Sequence, residues 1–320
     1  MSAPDAADVR FVADRYAALQ DGVGRIVVGQ EEALRLAFVT LACAGHSLLE
    51  GVPGVAKTLL VRTLAASVDV RFGRVQFTPD LMPSDIIGTT ILSLQDGSGR
   101  FRAGPLFTDV LLADEINRAS AKTQAALLEA MQERAATVDG VRHSLGEFFT
   151  VFATQNPVEH EGTYPLPEAE LDRFLFKIVV PYPSEENERA VLALHHAAAP
   201  SPDGVRPVLA AADLVRCRQT VERVIVRDDV VAYVAALVRA TREDARLSLG
   251  ASPRAGVMLL RASKAAAVLA GRDFVLPEDV QGLWHATLRH RVQLDPAAEV
   301  EGMTPDVALA RTLKSVTVPR

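Results

Sequence analysis

The residue types with the clearest chemical potential lie in one run, Gly51-Val-Pro-Gly54-Val-Ala-Lys57-Thr58. Glycines let backbone N–H groups face an anion, a lysine reaches the outer phosphates of a nucleotide, and a hydroxyl can bind Mg²⁺. The run contains each of these groups, but Ala56 stands where the usual phosphate-loop pattern has its last glycine. It therefore predicts a phosphate-binding loop in which Gly54 partly compensates for the missing glycine.

The flanking residues predict the elements that would hold this loop. Residues 46–50 have the composition of a short buried strand, and residues 59–66 that of a helix. A strand, a glycine loop and a helix N-terminus in this order favour anion binding. A tight turn before an ordinary surface helix is the alternative, which the lysine and threonine disfavour. The residues predicted to contact the nucleotide are Gly51, Val52, Pro53, Gly54, Val55, Ala56, Lys57, Thr58 and Leu59. Val28 and Gly29 are predicted to lie beside the base, although a plain contact within the core explains them equally well.

Two carboxylates follow the apolar run at residues 110–113, as expected for a buried parallel strand that ends in polar residues. Asp114 would hold Mg²⁺ together with Thr58, directly or through water. Glu115 is placed to orient and deprotonate an attacking water. An Asp-Glu pair after an apolar run is common by itself, so this interpretation depends on the phosphate loop.

Asn156 and two arginines are further candidates. Asn156 follows a predicted strand, where its amide could hold the water, although a turn-forming Asn before Pro157 is an equal alternative. Arg173 precedes another predicted strand and is expected on the far side of the domain from the loop, and Arg254 lies in the first turn of a predicted helix. An arginine near a transferring phosphate stabilises transition-state charge, and supplying it from another subunit couples hydrolysis to assembly. A surface ion pair is the alternative for each arginine alone.

Composition limits the class of protein. A chain of 320 residues with 49% hydrophobic and 23% charged residues predicts a globular protein of two domains, and a net charge of −6 argues against a broad nucleic-acid footprint. Cys43 and Cys217 are expected to be core thiols. The histidines lack metal-binding spacing, so nucleotide-bound Mg²⁺ is the only metal expected. The N-terminus lacks a hydrophobic leader, and no apolar run reaches the ~18 residues of a membrane span, so a cytoplasmic location is expected.

The order of patterns predicts an α/β nucleotide-binding domain over residues 1–183, a linker helix and connector over 184–209, and a helical lid domain over 210–320. Two Asp-Gly turns, at residues 96–99 and 138–141, predict hairpins inserted into the α/β part. The strands of its sheet are predicted at residues 46–50, 70–77, 110–113, 148–154 and 174–180.

Several motifs together resemble the MoxR family of AAA+ ATPases, in the clade with a hairpin inserted in its second helix. They are Glu50-Gly-Val-Pro-Gly-Val-Ala-Lys-Thr58, Phe101-Arg-Ala-Gly-Pro-Leu-Phe107, Ala113-Asp-Glu-Ile-Asn-Arg-Ala119, Ala153-Thr-Gln-Asn-Pro157, Glu161-Gly-Thr-Tyr-Pro-Leu-Pro-Glu168 and Leu171-Asp-Arg-Phe174. The resemblance covers nearly the whole chain, and the alanine at position 56 is usual in that family. It implies an AAA+ P-loop αβα domain followed by an all-helical lid.

The resemblance also implies roles for individual residues. Lys57 and Thr58 match Walker A, Asp114 and Glu115 match Walker B, and Asn156 matches sensor 1. Arg173 matches the arginine finger offered to the next subunit, and Arg254 matches sensor 2 on the lid. Arg118 fits the family pattern without a role that the sequence explains.

The function implied by the resemblance is ATP-driven, chaperone-like remodelling or maturation of client proteins by a homo-oligomeric ring, most often a hexamer. ATP and Mg²⁺ are the expected cofactors, and a protein with a von Willebrand factor A domain is the expected partner. A DNA-remodelling motor and the motor subunit of a metal chelatase are the alternatives. Few cations and no aromatic stack are evident in the predicted hairpins, which disfavours the DNA motor.

Substitution of Lys57 tests the phosphate loop. Lys57→Ala should lower ATP affinity at least about a hundredfold, because charge-assisted hydrogen bonds to phosphate are lost. Calorimetric titration with ATP would measure this, with Lys314→Ala, outside every motif, as the control. Retained tight ATP binding by Lys57→Ala would show that this loop does not bind the phosphates.

Overall fold

The computed structural model describes residues 3–92, 99–157, 163–197 and 201–319. The strands are β1 Ser47–Glu50, β2 Val68–Asp69, β3 Phe72–Gln76, β4 Gly88–Leu92, β5 Gly99–Ala103, β6 Val110–Asp114, β7 Ala135–Val138, β8 Val141–Ser144, β9 Thr150–Gln155, β10 Phe176–Val179, β11 Leu209–Ala210, β12 Leu247–Leu249 and β13 Gln293–Leu294. The α-helices are α1 Ala6–Gly24, α2 Glu31–Ala42, α3 Lys57–Ser67, α4 Pro83–Ile87, α5 Ala121–Glu133, α6 Glu168–Leu171, α7 Glu185–Ala197, α8 Ala211–Arg223, α9 Asp228–Glu243, α10 Pro253–Leu269, α11 Pro277–Leu288, α12 Pro296–Val300 and α13 Pro305–Ser315. Short 3₁₀ helices span Ile116–Arg118 and Pro202–Gly204.

The central sheet has five strands in the spatial order β10-β1-β9-β6-β3, and every neighbouring pair is parallel. All five strands predicted for the α/β part are therefore confirmed. The second begins at Phe72 rather than at Val70, because Val68 and Asp69 pair instead with β11 as a separate short strand.

Successive side chains of a strand point to opposite faces of the sheet. The hydrophobic core therefore has two layers, one on each face. One layer joins the sheet to α1, α2, α3 and the C-terminal helices α8 to α11. The other joins it to α4, α5 and β7. The first layer receives Leu49, Val110, Leu112 and Phe152, and the second receives Leu48, Leu111, Ala113 and Val151.

Both predicted hairpins are confirmed. Strands β4 and β5 pair antiparallel, with Leu92 opposite Gly99, and residues 93–98 between them lie outside the described residues. Strands β7 and β8 pair antiparallel around Asp139 and Gly140, which both have positive φ, as a two-residue hairpin turn requires. The hairpins contact each other where Phe101 stacks on His143, with 3.8 Å between ring centroids. The sequence did not predict this aromatic stack.

The C-terminal part is helical except for β12 and β13, which pair antiparallel. These two strands are too short to produce a recognisable alternation, and the sequence did not predict them. The predicted cap of α10 is present, since the Ser252 hydroxyl accepts a hydrogen bond from the Ala255 N–H. The domain bounds at residues 183 and 210 stay a prediction.

A buried ion pair joins the lid to the start of β10. The Arg291 side chain is 1% exposed, and its Nε donates to Asp172 Oδ1 at 2.8 Å. Its Nη1 donates to the Leu175 carbonyl at 3.1 Å, and the neighbouring His290 ring contacts the Phe174 carbonyl at 3.0 Å. Burial lowers the pKa of Arg291 to about 10, against the opposing effect of Asp172. The position of the lid therefore depends on neutralisation of this arginine.

Removal of the Asp172 carboxylate should destabilise the fold strongly. We expect Asp172→Ala to lower the free energy of unfolding by about 3 kcal/mol, because a buried guanidinium would lose its counter-ion. Urea unfolding would measure the change. The matched control is Asp14→Ala, whose exposed pair with Arg10 at 3.7 Å should contribute below about 0.5 kcal/mol. Equal effects of the two substitutions would contradict the buried-pair argument.

Candidate functional site

The predicted phosphate loop connects β1 to the N-terminus of α3. A Cβ atom at Gly51 would lie 2.5 Å from the Val180 carbonyl oxygen, so the close approach of the chain after β10 requires glycine there. Gly54 has φ of 88°, and Ala56 has φ of 64° with ψ of 23°. The backbone at position 56 thus has the left-handed conformation of the missing glycine, at a cost of about 1 kcal/mol for alanine. Alanine at position 56 is therefore compatible with this left-handed backbone.

Lys57 turns back into the loop. Its Nζ donates to the carbonyls of Gly51 at 2.6 Å and of Val52 at 2.8 Å. Burial lowers the pKa of Lys57, whereas the negative charges of Asp114 and Glu115 raise it. The ammonium is therefore held at the mouth of the loop, near two carboxylates.

Asp114 accepts hydrogen bonds from three different elements of the site. It ends β6, is 7% exposed, and its Oδ1 accepts from the Thr154 hydroxyl at 2.6 Å. Its Oδ2 accepts from the Thr58 hydroxyl at 3.2 Å and pairs with Arg74 at 2.7 Å. A carboxylate and a hydroxyl in contact are the hard oxygen ligands that Mg²⁺ prefers. The residues present therefore fit a magnesium ion held by Asp114 and Thr58.

Glu115 follows directly and has left-handed backbone, with φ of 57°. Its N–H donates to the Thr154 hydroxyl at 2.8 Å, which fixes the peptide beside β9. Its Oε2 accepts from Gln76 Nε2 at 2.7 Å and pairs with Arg118 at 3.0 Å. Arg118, which the sequence left without a role, therefore orients the carboxylate predicted to act as the base.

A cavity of about 390 Å³ encloses these groups. The structure brings together Lys57, Thr58, Asp114, Glu115 and Asn156 around it, as the sequence predicted. Its described lining consists of Pro53, Gly54, Ala56, Lys57, Thr58, Leu59, Arg74, Gln76, Asp114, Glu115, Thr154, Gln155 and Asn156.

Sequence reasoning missed four of these residues, among them Gln155 at the end of β9. Arg74 and Gln76 lie on β3, and Thr154 lies on β9, the two strands that flank β6. The available signal was their position near the ends of predicted strands, but it identifies site residues only once the strand order is known. Val28 and Gly29 do not line the described cavity, and their contact with the base stays a prediction.

The two candidate arginines lie elsewhere. Arg173 and Arg254 both line a second cavity of about 280 Å³, together with Gly45 and His46. Those two residues precede β1, whereas the phosphate loop follows it, and four strand residues span about 13 Å. The structure therefore places Arg173 away from the loop, as expected, and does not bring Arg254 to the loop of its own chain either.

Both arginines have partners at this far end. Arg173 Nη1 donates to the Leu128 carbonyl at 2.6 Å, and its Nε pairs with Glu170 at 3.0 Å. Arg254 lies 3.8 Å from the Asp172 carboxylate and has an exposed side chain. Arg254 is thus held loosely at the surface, where a group outside this chain can reach it.

The remaining histidines and cysteines that the structure describes form no metal site. Among the described residues no cluster of three or more His, Cys, Asp or Glu could hold a metal, and no helix there is long and apolar enough to cross a membrane. Cys43 and Cys217 are buried, and burial raises the pKa of each thiol to about 12. His195 and His196 are exposed near the end of α7, and His160 lies outside the described residues.

Comparison with known proteins identifies the class. Residues 46–176 match the model of the ATPase family associated with various cellular activities (AAA), and residues 239–312 match the AAA lid domain. A crystal structure of a candidate ATPase from Cytophaga hutchinsonii superposes with a TM-score of 0.90, at 39% identity and over 98% of both chains. The parallel sheet, the phosphate loop and the lid are thus those of an AAA ATPase.

Two relatives narrow the class to a family. The chain is 44% identical over 309 residues to Chaperone MoxR1 of Mycobacterium tuberculosis, which covers 93% of this chain and 81% of that protein. It is 33% identical over 322 residues to Protein MoxR of Methylorubrum extorquens, covering 93% of each. The chain belongs to the MoxR family of AAA+ ATPases.

The pairing of Arg74 with Asp114 Oδ2 predicts competition between this guanidinium and Mg²⁺. We expect Arg74→Gln to lower the Mg²⁺ concentration for half-maximal nucleotide binding by about fivefold, since a competing cation is removed. Titration of Mg²⁺ into protein with a fluorescent ATP analogue would measure it. Arg71→Gln is the matched control, because Arg71 pairs with Asp109 at 3.0 Å and does not line the described cavity. An unchanged or raised Mg²⁺ requirement in Arg74→Gln would contradict the competition.

Proposed function

We propose that this protein is a ring-forming ATPase that couples hydrolysis of ATP to remodelling of client proteins. The observation that carries the proposal is the separation of the site into two halves. The groups that fit a nucleotide and its metal lie after β1, and the two arginines that fit a transferring phosphate lie before it. The halves of one chain cannot meet, so a second copy must complete each site.

The first half supplies binding and the base. Lys57 and the N-terminus of α3 would bind the phosphates, and Mg²⁺ on Thr58 and Asp114 would neutralise their developing charge. Glu115 would take the proton of the attacking water. Its Oε2 is held by Gln76 and Arg118, so the carboxylate has a fixed orientation before any substrate arrives.

The second half supplies positive charge from the neighbour. Arg173 and Arg254 share one cavity, so one approaching phosphate can contact both. An interface that joins the loop end of one copy to the arginine end of the next is heterologous, and such an interface forms a ring when the rotation between neighbouring copies closes. A hexamer is the ring size that we propose, on the resemblance noted from the sequence.

Client remodelling is supported by the relative named Chaperone MoxR1 and by the inserted hairpins. Ile91 and Leu92 on β4, and Val141 on β8, are apolar and about half or more exposed. Apolar groups exposed at hairpins suit contact with a protein client. A partner with a von Willebrand factor A domain and a cytoplasmic location belong to this proposal as well.

A DNA motor is less well supported. Arg100, Arg102 and Arg142 are exposed on the hairpins, and cations there would suit a phosphate backbone. The Phe101 ring, however, stacks on His143 and is not free to stack on a base. No observation favours the motor subunit of a metal chelatase.

A mixing experiment tests the divided site. Arg173→Ala should retain ATP binding and lose hydrolysis by at least about a thousandfold, because the neighbour's transition-state charge is no longer neutralised. Lys57→Ala should lose binding, yet it keeps its arginines. The mixture of these two inactive chains should therefore recover hydrolysis at interfaces between them. Phosphate release would be measured, with Arg311→Ala on the exposed face of α13 as the control. An inactive mixture would contradict the divided site.

A further inference from the structure

The cavity that contains Arg173 and Arg254 holds more positive charge than those two residues supply. Arg134 and Arg261 also line it, so four guanidiniums surround about 280 Å³. The described lining contains no carboxylate. Like charges gathered around one space repel each other, and such a cluster is stabilised when a polyanion enters it.

Arg134 is held in place without being neutralised. Its Nη2 donates to the Ala44 carbonyl at 2.7 Å and its Nη1 to the Glu147 carbonyl at 3.2 Å. Neither acceptor carries a charge, and neither Arg134 nor Arg261 forms a salt bridge within the described part of the chain. Burial lowers the pKa of Arg134, and the charge of Arg261 lowers it further, against a smaller opposing effect of Glu147. Three of the five guanidinium N–H groups of Arg134 remain for a ligand.

The two residues joined by the Arg134–Ala44 hydrogen bond both have strained backbone. Arg134 has φ of 48° and Ala44 has φ of 44°, although neither is glycine. Left-handed backbone at a residue with a side chain costs about 1 kcal/mol or more, and such strain is concentrated at functional sites. The turn at the end of α5 therefore aims a half-buried cation at the cavity at an energetic cost to the fold.

A neighbouring arginine adds to the uncompensated charge. Arg218 donates to the carbonyls of Leu41 at 3.0 Å and Glu147 at 2.8 Å, while its Nη2 is buried without a hydrogen-bond partner among the described residues. Burial, together with the charge of Arg134, lowers the pKa of Arg218 to about 10, against the opposing effect of Glu147. Glu147 offsets part of this charge, as Glu170 and Asp172 do for Arg173 and Arg254, but arginines outnumber carboxylates at this end of the described chain.

We propose that Arg134 and Arg261 bind the phosphates of the nucleotide held by an adjacent copy, beside Arg173 and Arg254. A triphosphate has the charge and the forked oxygens that several guanidiniums recognise together. The chain's own nucleotide would lie at the opposite end of β1, so the phosphates come from another copy. This inference rests on the proposed function and adds two phosphate-binding residues to it.

The experiment uses the mixture of the two inactive variants, Lys57→Ala and Arg173→Ala, and adds Arg134→Gln to one of them at a time. We call Lys57→Ala the donor, because it supplies the arginines. We call Arg173→Ala the acceptor, because it binds the ATP. Arg134→Gln on the donor should lower the recovered hydrolysis at least about tenfold, the effect of losing one charge-assisted hydrogen bond. The same substitution on the acceptor should leave the recovered rate unchanged, which also shows that the variant folds.

Assembly gives a readout that is independent of turnover. ATP-dependent association of donor and acceptor, followed by sedimentation velocity, should weaken when Arg134→Gln or Arg261→Gln is on the donor. Arg261 is exposed on α10, so its replacement should not disturb the fold. Arg134→Lys should restore part of the association, since it keeps the charge. Arg311→Gln is the control and should change neither readout.

Each outcome decides the inference. An equal loss with Arg134→Gln on either chain, or no loss on either, would overturn it. Binding of free tripolyphosphate to Lys57→Ala that depends on Arg134, without any effect in the mixtures, would assign the cavity to a soluble anion and also overturn it. A mixture that never recovers hydrolysis, even with Arg134 intact, would instead contradict the proposed function itself.

Discussion

The parallel pairing of β1 between β10 and β9 is the constraint on which the rest of the structure depends. Parallel strands start at one edge of a sheet and end at the other, so polar residues that follow them meet at a single edge. The phosphate loop, Asp114 and Asn156 gather at this edge for that reason. The residues that precede β1 and β10, among them His46 and Arg173, gather at the opposite edge.

At the first edge, a buried carboxylate holds three elements together. Asp114 would be costly to bury without partners, and it receives hydrogen bonds from Thr58 on α3, Arg74 on β3 and Thr154 on β9. The same Thr154 hydroxyl accepts the N–H of Glu115. The two carboxylates are therefore positioned by one network, and a change in any member alters both the metal ligand and the base.

At the second edge, positive charge accumulates although the whole chain carries a net charge of −6. The lid contributes to this edge through Arg254 and Arg261, and its placement depends on the buried pair of Arg291 with Asp172. In the proposed ring, the phosphates bound at the first edge of one copy would supply the negative charge that the arginines of the next copy complement. In the proposed ring, the position of the lid would therefore influence catalysis in the neighbouring copy.

The sequence alone determined the features that depend on residues close together in the chain. The phosphate loop, the Asp114-Glu115 pair after an apolar strand, both hairpins and the cap of α10 were predictable, because glycine conformations, alternation and capping act within a few residues. Even Ala56 adopts the backbone that the pattern for glycine implies.

Only the tertiary structure decided which of these local features meet. Arg74 reaches Asp114 across 40 positions of the chain, and Arg134 reaches Ala44 across 90, since strand order and helix packing bring them together. Strand order depends on burial of apolar faces summed over the whole core, which no local pattern reports. Arg254 shows the consequence, because its helix was predictable but the edge of the sheet that it faces was not.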